Sequence, residues 1–459
     1  MLIVSYVAAA AAMLGAALYL FFRLRLYLTT TTMLIGSLLL IYGPAFLSYT
    51  LSSGESVFLI NRLRGLVGLP NPLFSTIKAK VSDFDAVIVA MNFSIALMYV
   101  SIIAGIEAVD RFFPNRISRM RTAVTVWSSQ SIRDDAGGHR ILLIVIFALA
   151  SLMVFFSITE NHLATIKTFL SLGDGNNAAR DLYRLHFATS PNYLYRLILS
   201  GVAPMFVIWG VLAGSLSKSW WLLLAALLLF IATMIGKFDT LSKAPPAFFM
   251  VQLMVAALLA FTNRITWLSA LIAGCFVALI LYAVTRLIMI FPEGTAIFQV
   301  VYYRVFEVEN QALLENFGTF PFVHPHMWGA NIRPIANLLG LHFIPSYSIV
   351  AHTWYGTYDV TSPSLFIADA WTDFSFAGVF VFSVIAGAVC RSIDAIFLAH
   401  GKTVVSVAVL GATFAGIFTL LTTALNTALL SGGLLLAPVL AGLLVIAIRH
   451  FGQRRPRTQ

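Results

Sequence analysis

The chain alternates long apolar runs with short polar joints, and the runs have the length that crosses a bilayer. A membrane-spanning helix needs about 20 mainly apolar residues, and sliding that template along the sequence gives about eleven spans. They are expected at 2–22, 31–50, 86–108, 141–158, 193–215, 219–236, 245–262, 267–290, 375–397, 403–425 and 432–449. Backbone polar groups in lipid must be satisfied internally, so the pattern predicts an all-α polytopic membrane protein, one integral membrane domain over 1–459. The first run, Met1 to Phe22, lacks a basic leader and is longer than a signal-peptide apolar core, so it is expected to remain as an anchor.

One polar stretch interrupts this rhythm. Phe291 to Phe374 carries Arg304, Glu307, Glu309, Glu315, His324, His326, Arg333, Asp369 and Asp373, far more than a connection between two helices requires. It is expected to form a large outer loop, 291–374, that caps a site. Val300 to Phe317 has helical spacing, with Arg304 and Glu307 three apart and able to pair. Gly318 and Pro321 end that helix, and Pro325, Gly329, Pro334, Gly340 and Pro345 restrict the rest to short helices and irregular loop. Two smaller outer segments are 51–85, a compact loop with a short interfacial helix, and 159–192. In the latter, Arg180 and Arg184 stand four apart and share a face of a helix over 178–186.

Composition confirms the class, since 59% of residues are hydrophobic and 10% charged, against about 25% charged in a soluble domain. Mean hydropathy is +0.90. Placing the N-terminus outside gathers 16 of the 29 lysines and arginines on one side, which is therefore cytoplasmic by the positive-inside rule. The net charge of +10 is then an inner-face property matched to anionic headgroups, and nucleic acid is not needed to explain it. Cys275 and Cys390 sit in apolar runs, which excludes a disulfide framework and a thiolate metal site.

The candidate chemistry lies outside. His324 and His326 are separated by a proline that points their imidazoles apart, and no His-Glu-x-x-His motif accompanies them, so no metal site is expected there. Asp83-Phe84-Asp85 reads as a helix cap or as a holder of a divalent ion against a diphosphate. No Gly-x-Ser-x-Gly elbow supports hydrolysis, and Ser346 and Ser348 have no evident partner. Group transfer remains. A diphosphate leaving group requires cations where charge develops, and guanidinium grips phosphate oxygens in bidentate fashion. The outer arginines can supply them: Arg180 and Arg184 form either a cationic clamp for a phosphate-bearing ligand or part of a solvated interfacial helix, Arg196 is costly at a span start unless paired or snorkelling, and Arg333 lies in the large loop. A nearby His or Glu would take the proton of an acceptor hydroxyl, with His324 and His326 favoured by residue type or else simply bonded to backbone. Trp328, Trp354, Tyr355 and Tyr358 either stack on sugar rings or belong to an interfacial aromatic belt.

Three features together resemble the Wzy-type polymerases of oligosaccharide repeat units. They are the large outer loop late in the chain, the arginine within Val301-Tyr302-Tyr303-Arg304-Val305-Phe306, and the run from Ser362-Pro363-Ser364 through Ala368-Asp369-Ala370-Trp371-Thr372-Asp373-Phe374. In that family the loop often ends with a proline, an acid, an aromatic and then Phe-Gly-x-x-Gly opening the next helix. Here Pro363, Asp369, Trp371, Phe374 and Gly378 follow in that order, with Ser375 where the first glycine would stand. The layout covers the whole chain and the motif-like similarity about its last third.

The resemblance implies a GT-C-like, metal-independent glycosyltransferase of the bacterial inner membrane, without cofactor, working at its periplasmic face. It would transfer a growing glycan from undecaprenyl pyrophosphate to a sugar hydroxyl of an incoming lipid-linked unit, with a chain-length regulator as a possible partner. Arg304 looks like the family's loop arginine and is the first catalytic candidate, beside Glu307, His324 and His326. An O-antigen ligase would differ only in acceptor. A lipid or polysaccharide transporter (flippase) would carry ionisable residues deep in its spans and an internal repeat; few such charges occur beyond Arg286, Arg391 and Asp394, and no repeat is evident.

Overall fold

Each apolar run closes its backbone hydrogen bonds within itself and becomes a helix. The computed structural model describes residues 1–51, 72–134, 138–171, 193–239, 244–288, 303–358 and 364–452. The helices used below are α1 (Leu2–Leu18, extended by a π-helical turn Tyr19–Arg23), α2 (Thr30–Tyr42), α3 (Pro44–Leu51), α4 (Phe84–Phe112), α5 (Pro114–Thr125), α6 (His139–Thr159), α7 (Ala203–Ser217) and α8 (Trp220–Asp239). They continue with α9 (Ala244–Phe261), α10 (Trp267–Ile288), α11 (Val308–Thr319), α12 (Arg333–Leu339), α13 (Ser346–Tyr355), α14 (Phe366–Phe397), α15 (Val404–Thr422) and α16 (Leu436–Gly452).

Among the described residues, eight helical stretches are long and apolar enough to cross a membrane: Leu2–Arg23, Thr30–Leu51, Phe84–Phe112, His139–Thr159, Tyr193–Ser217, Trp220–Phe238, Phe366–His400 and Val404–Thr422. The other three expected spans are helical too, with the shorter apolar stretches Pro245–Phe261, Trp267–Ile280 and Leu436–His450. No strand occurs among the described residues, only isolated bridges between Tyr27 and Arg264 and between Arg133 and Thr403. The fold is that of an all-α polytopic membrane protein. Its helices pack as two groups, α1, α2, α4 and α14 in one and α6 to α9 in the other, with α15 touching members of both.

Helix starts follow local chemistry. Asp83 accepts the Ala86 amide at 3.0 Å, so the first acid of Asp83-Phe84-Asp85 acts as the N-cap of α4. Thr29 caps α2 through the Thr32 amide at 3.1 Å. The same N-terminus is also held from another helix, because the buried Asp394 carboxylate accepts the Thr30 and Thr31 amides at 2.8 and 3.0 Å and the Thr31 hydroxyl. One turn back, Arg391 makes a two-pronged contact with Asp110 of α4, at 2.5 and 2.9 Å. These intramembrane charges are therefore joints between α14 and its neighbours α2 and α4.

The α4–α14 crossing is close enough to exclude side chains. A Cβ placed on Gly105 would fall 2.2 Å from the Val384 carbonyl oxygen, and one on Gly387 would fall 2.2 Å from that of Ile102. Small residues at such crossings let helix backbones approach in the absence of a hydrophobic drive between helices.

One boundary departs from the sequence reading. The apolar run was expected to begin at 375, whereas α14 begins at Phe366 and takes in the last nine residues of the outer loop. Asp369, Thr372 and Asp373 hide this segment from a hydropathy window, yet their backbone is helical because the cap packs around it. The two parts are separated by non-helical geometry at Phe374 (φ −132°, ψ 17°) and Ser375 (φ 55°, ψ −145°).

Overpacking a close crossing costs about 1–3 kcal/mol. Gly387→Leu is expected to lower the thermal unfolding temperature of the detergent-purified protein by several degrees, read by fluorescence-detected size exclusion after heating. An unchanged melting profile would contradict the backbone-to-backbone contact.

Candidate functional site

The first half of α14 places Asp369 and Asp373 four residues apart, hence on one face. Asp369 Oδ1 accepts hydrogen bonds from Asn331 Nδ2 at 2.7 Å and from the Ser346 hydroxyl at 2.6 Å. Asp373 Oδ1 accepts the Gly329 amide at 2.9 Å and the Asn331 amide at 3.3 Å. Its second oxygen, Oδ2, is buried without a hydrogen-bond partner. Asn331 is the pivot of the cluster, since its Oδ1 also accepts the Ser346 amide at the first turn of α13, at 2.7 Å.

The break at Phe374–Ser375 explains why the loop docks here. A helix that stops leaves its last carbonyls without intrahelical donors. The Thr372 carbonyl takes the Met327 amide and the Asp373 carbonyl takes the Trp328 amide, each at 3.0 Å. That pairing demands a sharp turn, and Trp328 (φ 51°) and Gly329 (φ 97°) supply it in the left-handed region. Trp371 fastens the other side: its indole donates to the Phe320 carbonyl at 2.7 Å and its ring stacks on Phe317 with centroids 4.7 Å apart. Thus 320–331 is laced along the outer segment of α14.

His326 sits in the middle of this lacing. Its Nδ1 lies 3.3 Å from the Thr372 carbonyl oxygen, and its ring meets Trp371 edge-on at 5.4 Å and Trp328 at 6.2 Å. A carbonyl only accepts, so in the neutral ring Nδ1 carries the proton and Nε2 keeps its lone pair. Nε2 has no hydrogen-bond partner among the described residues, and the ring is half-buried. Trp328, 63% exposed, and Phe376 lie open on the surface close by, and Trp371 lies between His326 and Phe376.

The other residues singled out from sequence are dispersed or undescribed. The His324 ring turns toward Phe320 at 6.3 Å, away from the surroundings of His326, as the intervening proline predicts. Glu307 is buried at the end of the π-helical turn Tyr303–Glu307 that precedes α11. Arg333 opens α12 with its guanidinium 4.6 Å above the Phe343 ring, and Arg196 is exposed on the short helix Tyr193–Leu197. Neither makes an ion pair among the described residues. Arg180 and Arg184 lie outside the described residues, as does the side chain of Arg304 and with it the Arg304–Glu307 pairing.

Asn331 and Ser346 are the members that sequence reasoning missed. Ser346, which shows no local partner, finds one 23 residues away in Asp369. The one signal available was the spacing of Asp369 and Asp373. A second polar cluster in the cap ties Glu315 to the Tyr355 hydroxyl at 2.7 Å and to Gln311 at 3.0 Å, with the Trp354 indole donating to the Thr319 hydroxyl at 2.9 Å. Trp354 and Tyr355, read as sugar-stacking or belt residues, are thus engaged in holding α13 against α11.

No family profile matches the chain, and no characterised protein or solved structure shows significant similarity to it.

Ser375 occupies a backbone region that glycine enters freely and that strains an L side chain by about 1–3 kcal/mol. Across the same joint, a Cβ on Gly378 would lie 2.2 Å from the Ala370 carbonyl oxygen. Ser375→Gly is therefore expected to raise the unfolding temperature in detergent and Gly378→Ala to lower it. Opposite signs in the same assay would refute this account of the joint.

Proposed function

We propose that the chain is a glycosyltransferase of the bacterial inner membrane that polymerises lipid-linked oligosaccharide repeat units at the periplasmic face. The reading rests on the resemblance carried by Arg304 and by the run Pro363 to Gly378, and on one geometric observation. His326 is held by a backbone acceptor in the tautomer of a general base, beside an exposed tryptophan suited to a sugar face, at the capped end of a helix long enough to cross a membrane.

In this mechanism an acceptor sugar of the incoming unit lies over Trp328, and its hydroxyl gives its proton to Nε2 of His326. The oxygen forms the new bond to the anomeric carbon of the growing glycan as the bond from that carbon to the undecaprenyl diphosphate breaks. The electron pair leaves with the diphosphate, whose charge falls to Arg304, with Arg333, Arg196, Arg184 and Arg180 as further cations for that group. Asp369, Asn331, Asp373 and Ser346 hold the turn that carries His326 and Trp328, and are positioning residues. The reaction needs no metal ion, and a GT-C-like arrangement of the spans is part of the same reading.

General-base catalysis contributes about 10²–10⁴-fold. His326→Ala is expected to reduce long-chain glycan by about 100-fold or more in cells and with purified protein, while His324→Ala retains it. Arg304→Ala is expected to abolish the chain-length ladder with the protein still inserted and accumulating. A normal ladder from His326→Ala would remove the base from the mechanism. The glycan of a deletion strain decides the class of activity. Lipid A core bearing a single repeat unit supports a polymerase. Bare core with long lipid-linked polymer would indicate a ligase instead, and units trapped on the cytoplasmic side a flippase.

A further inference from the structure

At the arginine-rich end of the bundle, opposite in the sequence reading to the capped face, three elements enclose a second polar space. The turn after α1, the end of α4 and the amphipathic α5 surround a cavity of about 330 Å³. Arg23, Arg111 and Arg121 line it together with the hydroxyl-bearing Ser118 and Thr122. Its two acids are heavily committed. Asp110 receives Arg391 from the protein side, at 2.5 and 2.9 Å, and Arg121 at 3.1 Å from the cavity side. Glu107 receives Arg23 at 3.2 Å and the Tyr19 hydroxyl at 2.7 Å. Three guanidinium groups thus converge on two carboxylates, and a fourth, that of Arg111, makes no ion pair or hydrogen bond among the described residues.

Exposed phenylalanines adjoin the lining residues in the chain: Phe21 and Phe22 just before Arg23, and Phe112 and Phe113 between Arg111 and Pro114, Phe22 and Phe112 at 74% and 79%. On α5, Ile117, Met120 and Val124 face inward, so the helix lies on the bundle with Arg116 and Arg119 exposed. Excess guanidinium lining an open polar pocket, the Ser118 hydroxyl on its wall and four exposed phenylalanines adjoining its lining match one ligand chemistry. That chemistry is a phosphate group joined to acyl chains.

We infer that this cavity binds the phosphate headgroup of an anionic glycerophospholipid, with the acyl chains lying over Phe21, Phe22, Phe112 and Phe113. Arg111 and Arg121 hold the phosphate oxygens, the Ser118 hydroxyl donates to them, and Arg23 adds charge at the rim, while the Thr122 hydroxyl keeps its bond to the Ser118 carbonyl. The site is independent of the glycan chemistry and stands whether or not that reading does.

A basic residue beside an anionic membrane surface contributes about 1 kcal/mol, which corresponds to roughly fivefold in affinity. Purified full-length protein, stripped of lipid and titrated with phosphatidylglycerol or phosphatidylcholine in native mass spectrometry, is expected to retain phosphatidylglycerol preferentially. Arg111→Ala should weaken that retention about fivefold, and Arg111→Ala with Ser118→Ala further. Arg111 has no ion pair or hydrogen bond among the described residues, so the fold should persist, checked by an unchanged elution profile. Arg116→Ala, outside the cavity, should have no effect. Three results would overturn the site: equal retention of the two lipids, retention unchanged in Arg111→Ala, or an equal loss in Arg116→Ala, which would mean a diffuse basic surface. Displacement of the lipid by millimolar inorganic phosphate at constant ionic strength would also overturn it, since the occupant would then be a free anion.

Discussion

A helix cannot be interrupted inside or beside a membrane without a replacement for the hydrogen bonds it gives up, and that constraint organises the capped end of this protein. At Phe374–Ser375, α14 releases the carbonyls of Thr372 and Asp373, and the loop 326–329 supplies the missing donors. The location of the cap, the orientation of His326 and the burial of Asp373 all follow from that exchange. Asp369 and Asp373 extend it from backbone to side chain, because each carboxylate gathers donors from the loop that the bare carbonyls do not reach.

The opposite end of α14 is fixed by charge. A buried ion pair is retained at the cost of desolvating both partners, and removing one partner leaves the other stranded, so such pairs make strict demands on what surrounds them. Arg391 meets that demand with both oxygens of Asp110, and Asp394 meets it with the open N-terminus of α2, where unsatisfied amides and the helix dipole favour an anion. The two acids and one arginine therefore join α14 to both α4 and α2, beside the close backbone crossing of α4 and α14.

Much of this architecture was legible in the sequence, and the reason is the solvent. In lipid the run length of apolar residues nearly determines helix placement, so all eleven expected runs coincide with helices, eight of full spanning length among the described residues. Local capping was legible as well, at Asp83. The outer segment of α14 was not, because Asp369, Thr372 and Asp373 interrupt hydropathy while leaving helical geometry intact. Within the site, His326 stood out by residue type and by the proline beside it. Its acceptor lies 46 residues away, and Asn331 and Ser346 are ordinary loop polars until the chain folds them against Asp369. Long-range hydrogen bonds of this kind leave no local trace. Of the arginines proposed for the diphosphate, Arg333 and Arg196 stand exposed on separate elements.

The glycine crossing of α4 and α14 has a mechanical corollary. Where two backbones touch, no layer of side chains remains to change rotamer and absorb a shift, so Gly105 and Gly387 make a stiff fulcrum in the lower half of the bundle. Above it the helical ladder is already open at Ser375. The two halves of α14 are therefore held by different means, the stem by its backbone contact with α4 and the segment before Ser375 by the cap that wraps it.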